Sequence, residues 1–214
     1  IYSPSKTLKS KIPLIITTGT SMDSGKTTVA VEVTKTLMRI GMRLAGAKLT
    51  GVGAQRDLYK MQDYGVYEAV SFVDCGITST ANIDPQQMVD VSKGALDHLS
   101  KGNPDAIIVE FGDGLMGRYG VNAILQDPEI QRNVRLHIGC ARDPVGAVGL
   151  AEGCAKIGLP LDVMSGPVTD NQVGCDIVRD DRMARVVPVG RPARGRDRGQ
   201  PRGGLRTVRV LQHA

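Results

Sequence analysis

The side chains with the clearest chemical potential lie in one short stretch between an apolar run at residues 12–16 and a helix-like segment from Thr28 to Ile40. A strand, a glycine-rich turn that ends in Gly-Lys-Thr and a helix together indicate a phosphate-binding loop. Backbone N–H groups of such a turn surround a β-phosphate, and the helix N-terminus adds positive potential. The residues expected to contact the phosphates are Gly19, Thr20, Ser21, Met22, Asp23, Ser24, Gly25, Lys26, Thr27 and Thr28.

Within this loop, Lys26 is expected to reach the β- and γ-phosphates, and the Thr27 hydroxyl to bind Mg²⁺. The strict pattern has its first glycine at the position of Thr20, whereas this chain has it at Gly19. An accidental turn or an inactive relic is therefore the alternative to a working site, although the strand-turn-helix context favours nucleotide binding.

Apolar runs alternate along the chain with segments of helical spacing, which predicts a mostly parallel sheet flanked by helices in a three-layer α/β/α fold. The predicted strands are Leu14–Thr18, Leu44–Leu49, Tyr67–Val73, Ala106–Val109, Val134–Cys140, Leu161–Met164 and Val186–Val189. The predicted helices are Lys26–Ile40, Asp57–Tyr64, Pro85–Ser100, Asn122–Asn133 with an interruption near Asp127-Pro128, and Pro144–Ile157.

Charged residues follow two of these strands directly. Lys48 lies at the end of the second predicted strand, and Glu110 follows the strand 106–109. Because ligands in parallel sheets bind at the carboxyl ends of the strands, we expect both side chains to share one site with the phosphate loop.

Several segments, in the same order along the chain, resemble those of dethiobiotin synthetase and its relatives. They are the loop Gly-Thr-x-x-x-x-Gly-Lys-Thr, the stretch from Gly41 to Lys48, the stretch from Arg56 to Gln62, and Val109-Glu110-Phe-Gly-Asp-Gly. The resemblance covers roughly residues 12–165 and is stronger for the nucleotide half than for the substrate half. It identifies the chain as similar to uncharacterised relatives with this nucleotide domain rather than to dethiobiotin synthetase itself.

This resemblance implies an ATP-dependent ligase that uses Mg²⁺. It implies Lys26, Lys48 and Glu110 as catalytic residues, and Thr27, Asp57 and Glu110 as the metal site. The substrate would be a small carboxylic acid or carbamate, which attacks the γ-phosphate while Lys48 holds it. A homodimer with the site at the interface is also implied.

Some assignments stay open at this point. Asp57 could instead cap a helix, and Asp113 competes with it as a metal ligand. Asp23 is a further candidate for contact with nucleotide or metal. Asn171, within Thr169-Asp170-Asn171, lies where the family contacts the base, but Asn and Asp are also ordinary turn formers.

Charge divides the chain into two parts, a nucleotide-binding domain at residues 1–190 and a tail at residues 191–214. The tail holds seven of the 27 Lys and Arg residues but only one of the 22 Asp and Glu residues, so its net charge is +6 against −1 for residues 1–190. A nearly neutral domain makes nucleic acid an unexpected partner. The Arg/Gly/Pro-rich tail is expected to be disordered, a basic arm, or an artefact of out-of-frame translation.

Cysteine usage and hydropathy favour a cytoplasmic protein with no membrane segment. The four cysteines form no Cys-x-x-Cys pair and do not cluster with the three histidines, so buried reduced thiols are expected rather than a metal or disulfide site. Because the chain begins at Ile1 rather than Met, the sequence leaves open whether it is a fragment or a trimmed chain and whether an upstream domain is missing.

Three functions are in competition. The first is the ATP-dependent ligase, and the second is a nucleotide-switched adaptor or cofactor-assembly chaperone with weak NTPase activity. In the second, the segment from Gly112 to Arg118 would be the mobile part. The third is a non-catalytic or truncated nucleotide-binding domain.

Overall fold

The computed structural model describes residues 2–180 and 185–186. Its strands are β1 (Leu14–Gly19), β2 (Leu44–Thr50), β3 (Ala69–Ser71), β4 (Ala106–Phe111), β5 (Val134–Cys140), β6 (Val163–Ser165) and β7 (Arg185–Val186). Its α-helices are α1 (Lys26–Arg39), α2 (Arg56–Asp63), α3 (Pro85–Ser100), α4 (Val121–Gln126), α5 (Pro128–Gln131), α6 (Pro144–Lys156) and α7 (Gln172–Asp180). Within the described residues the strands form one parallel sheet in the order β3-β2-β4-β1-β5-β6-β7.

Helices cover both faces of the sheet, so the predicted three-layer α/β/α fold is confirmed. One apolar cluster joins the sheet to α1 and α2. The larger cluster joins the opposite face to α3, α4, α5, α6 and α7. This layering is that of a P-loop NTPase fold, in which the carboxyl ends of the strands share one edge.

Alternation along the central strands decides which side chain enters which layer. In β1, Leu14 and Ile16 lie in the larger cluster, whereas Ile15 lies in the cluster with α1. In β4, Ile107 and Val109 likewise face away from α1. Because successive strand residues point to opposite faces, a strand with both faces covered reads as a continuous apolar run.

The third strand is shorter than predicted. The prediction ran from Tyr67 to Val73, but β3 contains only Ala69–Ser71, and a 3₁₀ helix follows at Phe72–Cys75. The Ser71 side chain accepts from the Val73 backbone N–H, and the Asp74 side chain accepts from the Ser71 backbone N–H. This reciprocal cap turns the chain into a helix although Phe72 and Val73 favour a strand.

The predicted interruption near Asp127-Pro128 is confirmed, because Asp127 ends α4 and caps α5 through hydrogen bonds from the N–H groups of Glu129 and Ile130. The helix α7 was not predicted. Of the predicted strand 186–189, Val186 lies in β7, whereas residues 187–189 and the tail 191–214 lie outside the described residues.

Before β1, the chain lies along α3. The backbone N–H of Ser5 donates to the Asp90 carbonyl, and the N–H groups of Lys9 and Ser10 donate to Asp97 Oδ1. These bonds hold residues 5–10 against α3.

The four cysteines are free thiols, as expected; Cys140, Cys154 and Cys175 are buried, and Cys75 is half-buried. Burial raises the pKa of the Cys140 and Cys154 thiols to about 12. In the described part of the chain, none of the helices combines the length and the apolar character that crossing a membrane requires.

Candidate nucleotide site

A cavity of about 330 Å³ opens at the carboxyl ends of β1, β2 and β4. It therefore lies at the edge of the sheet where the sequence predicted a site. The residues that line it are Met22, Asp23, Gly25, Lys26, Thr27, Thr28, Lys48, Gly51, Val52, Ala54, Arg56, Asp57, Lys60, Glu110, Gly112, Asp113 and Tyr119.

Two glycines allow the turn between β1 and α1 to close tightly. A Cβ atom at Gly19 would lie 2.3 Å from Ser24 Oγ and 3.1 Å from the Cys140 carbonyl oxygen, so this position favours glycine. Gly25 has a φ of +97° and is the residue that precedes α1. No side chain caps the N-terminus of α1, so its first N–H groups remain available to an anion.

Lys26 is buried at the base of the cavity and folds back onto its own loop. Its Nζ donates to the Ser21 carbonyl at 2.7 Å and lies 3.4 Å from Ser24 Oγ. Burial lowers the pKa of Lys26, while the charge of Glu110 acts in the opposite direction. A phosphate oxygen would offer this ammonium a charged partner in place of a carbonyl.

Thr27, Asp57 and Glu110 come together beside Lys26. The Thr27 hydroxyl donates to Glu110 Oε1 at 2.6 Å and lies 3.4 Å from Asp57 Oδ1. The structure thus brings together the three residues expected to serve a metal, from α1, α2 and β4.

Glu110 is almost fully buried, and among the described side chains its Oε2 is the one buried polar atom without a hydrogen-bond partner. Burial raises the pKa of Glu110, although the Thr27 hydrogen bond opposes this rise. A buried carboxylate oxygen without a partner is costly, so its retention at the wall of a cavity points to a positively charged ligand.

These oxygens fit Mg²⁺, which prefers hard oxygen ligands and usually completes its shell with water and phosphate. Thr27 would bind the ion directly, and Glu110 and Asp57 would hold it directly or through water. The described residues, this cavity included, contain no group of three or more His, Cys, Asp or Glu side chains that could hold a metal, so an ion here would depend on the two carboxylates, the Thr27 hydroxyl and phosphate or water.

Lys48 is committed to another residue. Its Nζ forms a 2.7 Å ion pair with Asp57 Oδ2, and the two side chains are only 5% and 15% exposed. The same Nζ lies 3.4 Å from the Ala54 carbonyl oxygen. The ammonium expected to hold a substrate thus already has a carboxylate partner.

The other predicted phosphate contacts divide into two sets. Met22, Asp23, Gly25 and Thr28 line the cavity, with Met22 and Asp23 exposed. Gly19, at the end of β1, and the loop residues Thr20, Ser21 and Ser24 do not lie on the cavity wall.

The structure gives the positions of Asp113 and Asn171, whose roles the sequence left open. Asp113 lines the cavity with a φ of +63°. Asn171 lies outside the cavity wall, and its Oδ1 accepts from the Gly174 N–H at the start of α7. Contact of Asn171 with a base stays a prediction.

Sequence reasoning missed part of the cavity wall. Arg56, Lys60 and Tyr119 line it, as do residues of the connection between β2 and α2. The spacing of Arg56 and Lys60, one helical turn apart, could have indicated a shared helix face with Asp57. Tyr119 carried no such signal, because its position depends on the path of the loop after β4.

Solved structures of the signal recognition particle system have the same fold. The signal recognition particle 54 kDa protein of Aeropyrum pernix K1, in complex with GDP, matches with a TM-score of 0.57 and 20% identity, over 96% of this chain and 47% of its own. The receptor FtsY of Elizabethkingia anophelis, in complex with GDP, gives 0.55 and 13%, over 83% and 56%. Chloroplast FtsY of Physcomitrella patens gives 0.54 and 15%, over 97% and 68%.

At these identities the similarity establishes the fold, and this chain spans about half the length of the first of these proteins. No protein-family model matches the chain. No curated protein matches its sequence either.

The expected kinship with dethiobiotin synthetase is therefore wrong, and so is the expected ligase of that type, because the matching structures are signal recognition particle proteins and receptors. The physical reason lies in the motifs that carried the resemblance. A glycine-rich turn after β1 and charged residues at the ends of β2 and β4 follow from the shared sheet edge. The lysine that should have marked a substrate, Lys48, is paired with Asp57.

Proposed function

We propose that this chain is a nucleotide-operated switch that binds a guanine nucleoside triphosphate with Mg²⁺ and thereby changes the loops it offers to a partner protein. The observation that carries the proposal is the convergence of Lys26, Thr27 and the partnerless Glu110 oxygen on one cavity at the end of the sheet. The cavity joins a basic group for phosphate to acidic oxygens for a cation, which is the pairing that Mg-nucleotide requires.

The proposed nucleotide is GTP, in place of the ATP that the sequence suggested. Support comes from two of the similar structures, which hold GDP. Titration of this protein with fluorescent GTP and ATP analogues tests the base directly. Equal affinities, or tighter binding of ATP, would contradict the guanine preference.

We favour a switch over a ligase that acts on a small carboxylic acid, because neither buried lysine of the cavity wall is free to bind such a substrate. Lys48 is paired with Asp57, and Lys26 belongs to the phosphate loop. The remaining basic residues that line the cavity, Arg56 and Lys60, are exposed at its mouth. We therefore expect slow intrinsic hydrolysis and a partner whose affinity depends on the nucleotide.

The deciding experiment compares Lys26→Ala with a matched control on the same helix. Lys35 lies on α1 outside the cavity and pairs with Glu32, so Lys35→Ala removes a lysine from α1 without touching the site. We expect Lys26→Ala to weaken Mg-GTP binding about 100-fold, since losing a buried charged partner costs about 3 kcal/mol. Binding that is unchanged in Lys26→Ala would refute the site.

A further inference from the structure

Lys48 connects the sheet to the segment that follows it. This segment, residues 51–55, is called the β2–α2 connection below. Lys48 Nζ contacts the C-terminal end of this connection, since it lies 3.4 Å from the Ala54 carbonyl oxygen and pairs at 2.7 Å with Asp57 Oδ2 in the first turn of α2. One buried ammonium thus holds the connection against the cavity.

The connection is bonded in turn to a second loop. The Gly53 N–H donates to the Thr78 carbonyl at 3.0 Å, and the Thr80 N–H donates to the Gly51 carbonyl at 3.0 Å. The Thr80 hydroxyl donates to the Tyr119 carbonyl at 2.9 Å, and Tyr119 lines the cavity. The loops around the cavity mouth are therefore one hydrogen-bonded unit that depends on Lys48 at one end.

Lys48 also lines the cavity in which the proposed nucleotide would place its terminal phosphate. Its partner Asp57 has Oδ1 3.4 Å from the Thr27 hydroxyl, and both lysines of the site, Lys26 and Lys48, belong to the same cavity wall. A γ-phosphate carries more charge than a carboxylate and would compete with Asp57 for the ammonium. A diphosphate lacks that group.

We propose that Lys48 is a positioning residue and that its pair with Asp57 is a latch, which holds the β2–α2 connection until a triphosphate draws the ammonium away. The proposal rests on the proposed function for its trigger. An exchange of partners makes the step feasible: as Lys48 turns to phosphate, Asp57 turns to the cation beside Thr27, so neither charge is left buried and unpaired. The connection then loses its contact at Ala54, and the loop at residues 78–80 loosens with it.

Hydrogen exchange in the nucleotide-free protein tests whether Lys48 holds the connection. The reporters are the backbone amides of Gly53, Ala54 and Thr80, which all donate hydrogen bonds within this unit. We expect exchange at least about 10-fold faster in Lys48→Met, the equivalent of about 1.4 kcal/mol of lost local stability. Lys48→Arg, which keeps the charge, restores much of the protection.

Two further variants keep this test decisive. Lys60→Met removes an exposed lysine from the same cavity wall and is expected to leave the three amides unchanged. Asp57→Asn removes the other half of the latch at constant shape and is expected to match Lys48→Met. Unchanged exchange in both Lys48→Met and Asp57→Asn would overturn the latch.

The trigger is tested in the wild-type protein with Mg²⁺ and either GDP or a non-hydrolysable GTP analogue. We expect faster exchange of the three amides with the triphosphate analogue only. Equal exchange in the two complexes would overturn the trigger. Failure of both nucleotides to bind would overturn the proposed function together with the trigger, while the nucleotide-free comparison would still decide whether Lys48 holds the connection.

Discussion

The Thr27 hydroxyl and Glu110 Oε1 lie 2.6 Å apart, although 83 residues separate them in the chain. The contact joins the first turn of α1 to the end of β4. The same Thr27 hydroxyl is the one that a Mg²⁺ ion would use. Binding of the ion therefore has to reorganise this pair, so both residues should affect the magnesium dependence of nucleotide binding more than nucleotide binding itself.

Replacement of Thr27 tests this expectation. Thr27→Ala should weaken GTP binding in Mg²⁺ about 10-fold, the equivalent of about 1.4 kcal/mol, because it removes one oxygen ligand of the ion. In EDTA the variant and the wild type should bind alike. Thr27→Ser keeps the hydroxyl and is the matched control. Isothermal titration with and without Mg²⁺ measures all three proteins, and an equal loss in EDTA would contradict a role at the cation.

Glu110→Gln should weaken magnesium binding without lowering the stability of the protein. Since burial raises the pKa of Glu110, this group favours the folded state below its usual pKa of 4.5, and that contribution is lost as pH rises through the folded-state value. At neutral pH the ligand-free variant should therefore melt no lower than the wild type. Thermal melts with Mg-GTP should show a much smaller stabilisation than in the wild type.

The matched control for this change is Glu152→Gln, at an exposed position of α6. It should leave both melting temperatures unchanged. A Glu110→Gln protein that keeps the full stabilisation by Mg-GTP would contradict the assignment of Glu110 to the cation.

The architecture and the position of the site could be predicted because both depend on local patterns. Apolar runs of the length of β1 and β4, each followed by a charged or glycine-rich stretch, identify parallel strands and the edge where ligands bind. Lys26, Thr27, Lys48 and Glu110 were predicted to share this edge from their positions at strand ends, and Asp57 was added by the resemblance. The structure brings the five residues together. Their individual roles remain predictions.

Other features depend on distant contacts and could not be predicted. The pair of Lys48 and Asp57 requires the path of the β2–α2 connection, which is set by the loop at residues 78–80. The 3₁₀ helix after β3 requires the Ser71–Asp74 cap, which overrides the strand preference of Phe72. A resemblance built on strand-end motifs also could not tell a ligase from another P-loop protein, because many proteins share those motifs.

Away from the site, Lys93 of α3 holds two carboxylates. Its Nζ lies 2.8 Å from Asp127 Oδ2 and 2.7 Å from Glu129 Oε2, and its side chain is only 6% exposed. Burial acts to lower the pKa of Lys93, but the two carboxylates raise it overall. Lys93→Met should cost about 3 kcal/mol of unfolding free energy, because it leaves two acidic groups without their partner.

Urea unfolding measures this loss. Lys101→Met, at an exposed position just beyond α3, is the control and should change stability by less than about 0.5 kcal/mol. Adding Asp127→Asn to Lys93→Met should recover part of the loss, since Asn can still cap α5. If Lys93→Met is as stable as the wild type, the cluster contributes nothing to folding.

The buried His137 should make the protein sensitive to mild acid. Its Nδ1 lies 3.1 Å from the Leu159 carbonyl oxygen, which can only accept, so Nδ1 carries the proton and Nε2 accepts from the Thr18 hydroxyl at 2.9 Å. A second proton would place a positive charge in a buried site, and this burial lowers the pKa of His137 from 6.5 to about 4. The unfolded chain therefore binds more protons than the folded chain between these two pH values.

From this difference, the contribution of His137 to stability should be complete above about pH 6.5 and be lost as pH falls towards 4. Between pH 7 and pH 5 the loss should be about 2 kcal/mol, since each unit of pKa difference corresponds to about 1.4 kcal/mol. Urea unfolding of the wild type and of His137→Gln at both pH values measures the part of this loss that His137 causes. For each protein the stability at pH 5 is compared with its own stability at pH 7, so the cost of the substitution itself cancels. If His137→Gln loses as much stability between pH 7 and pH 5 as the wild type, other groups cause the acid sensitivity.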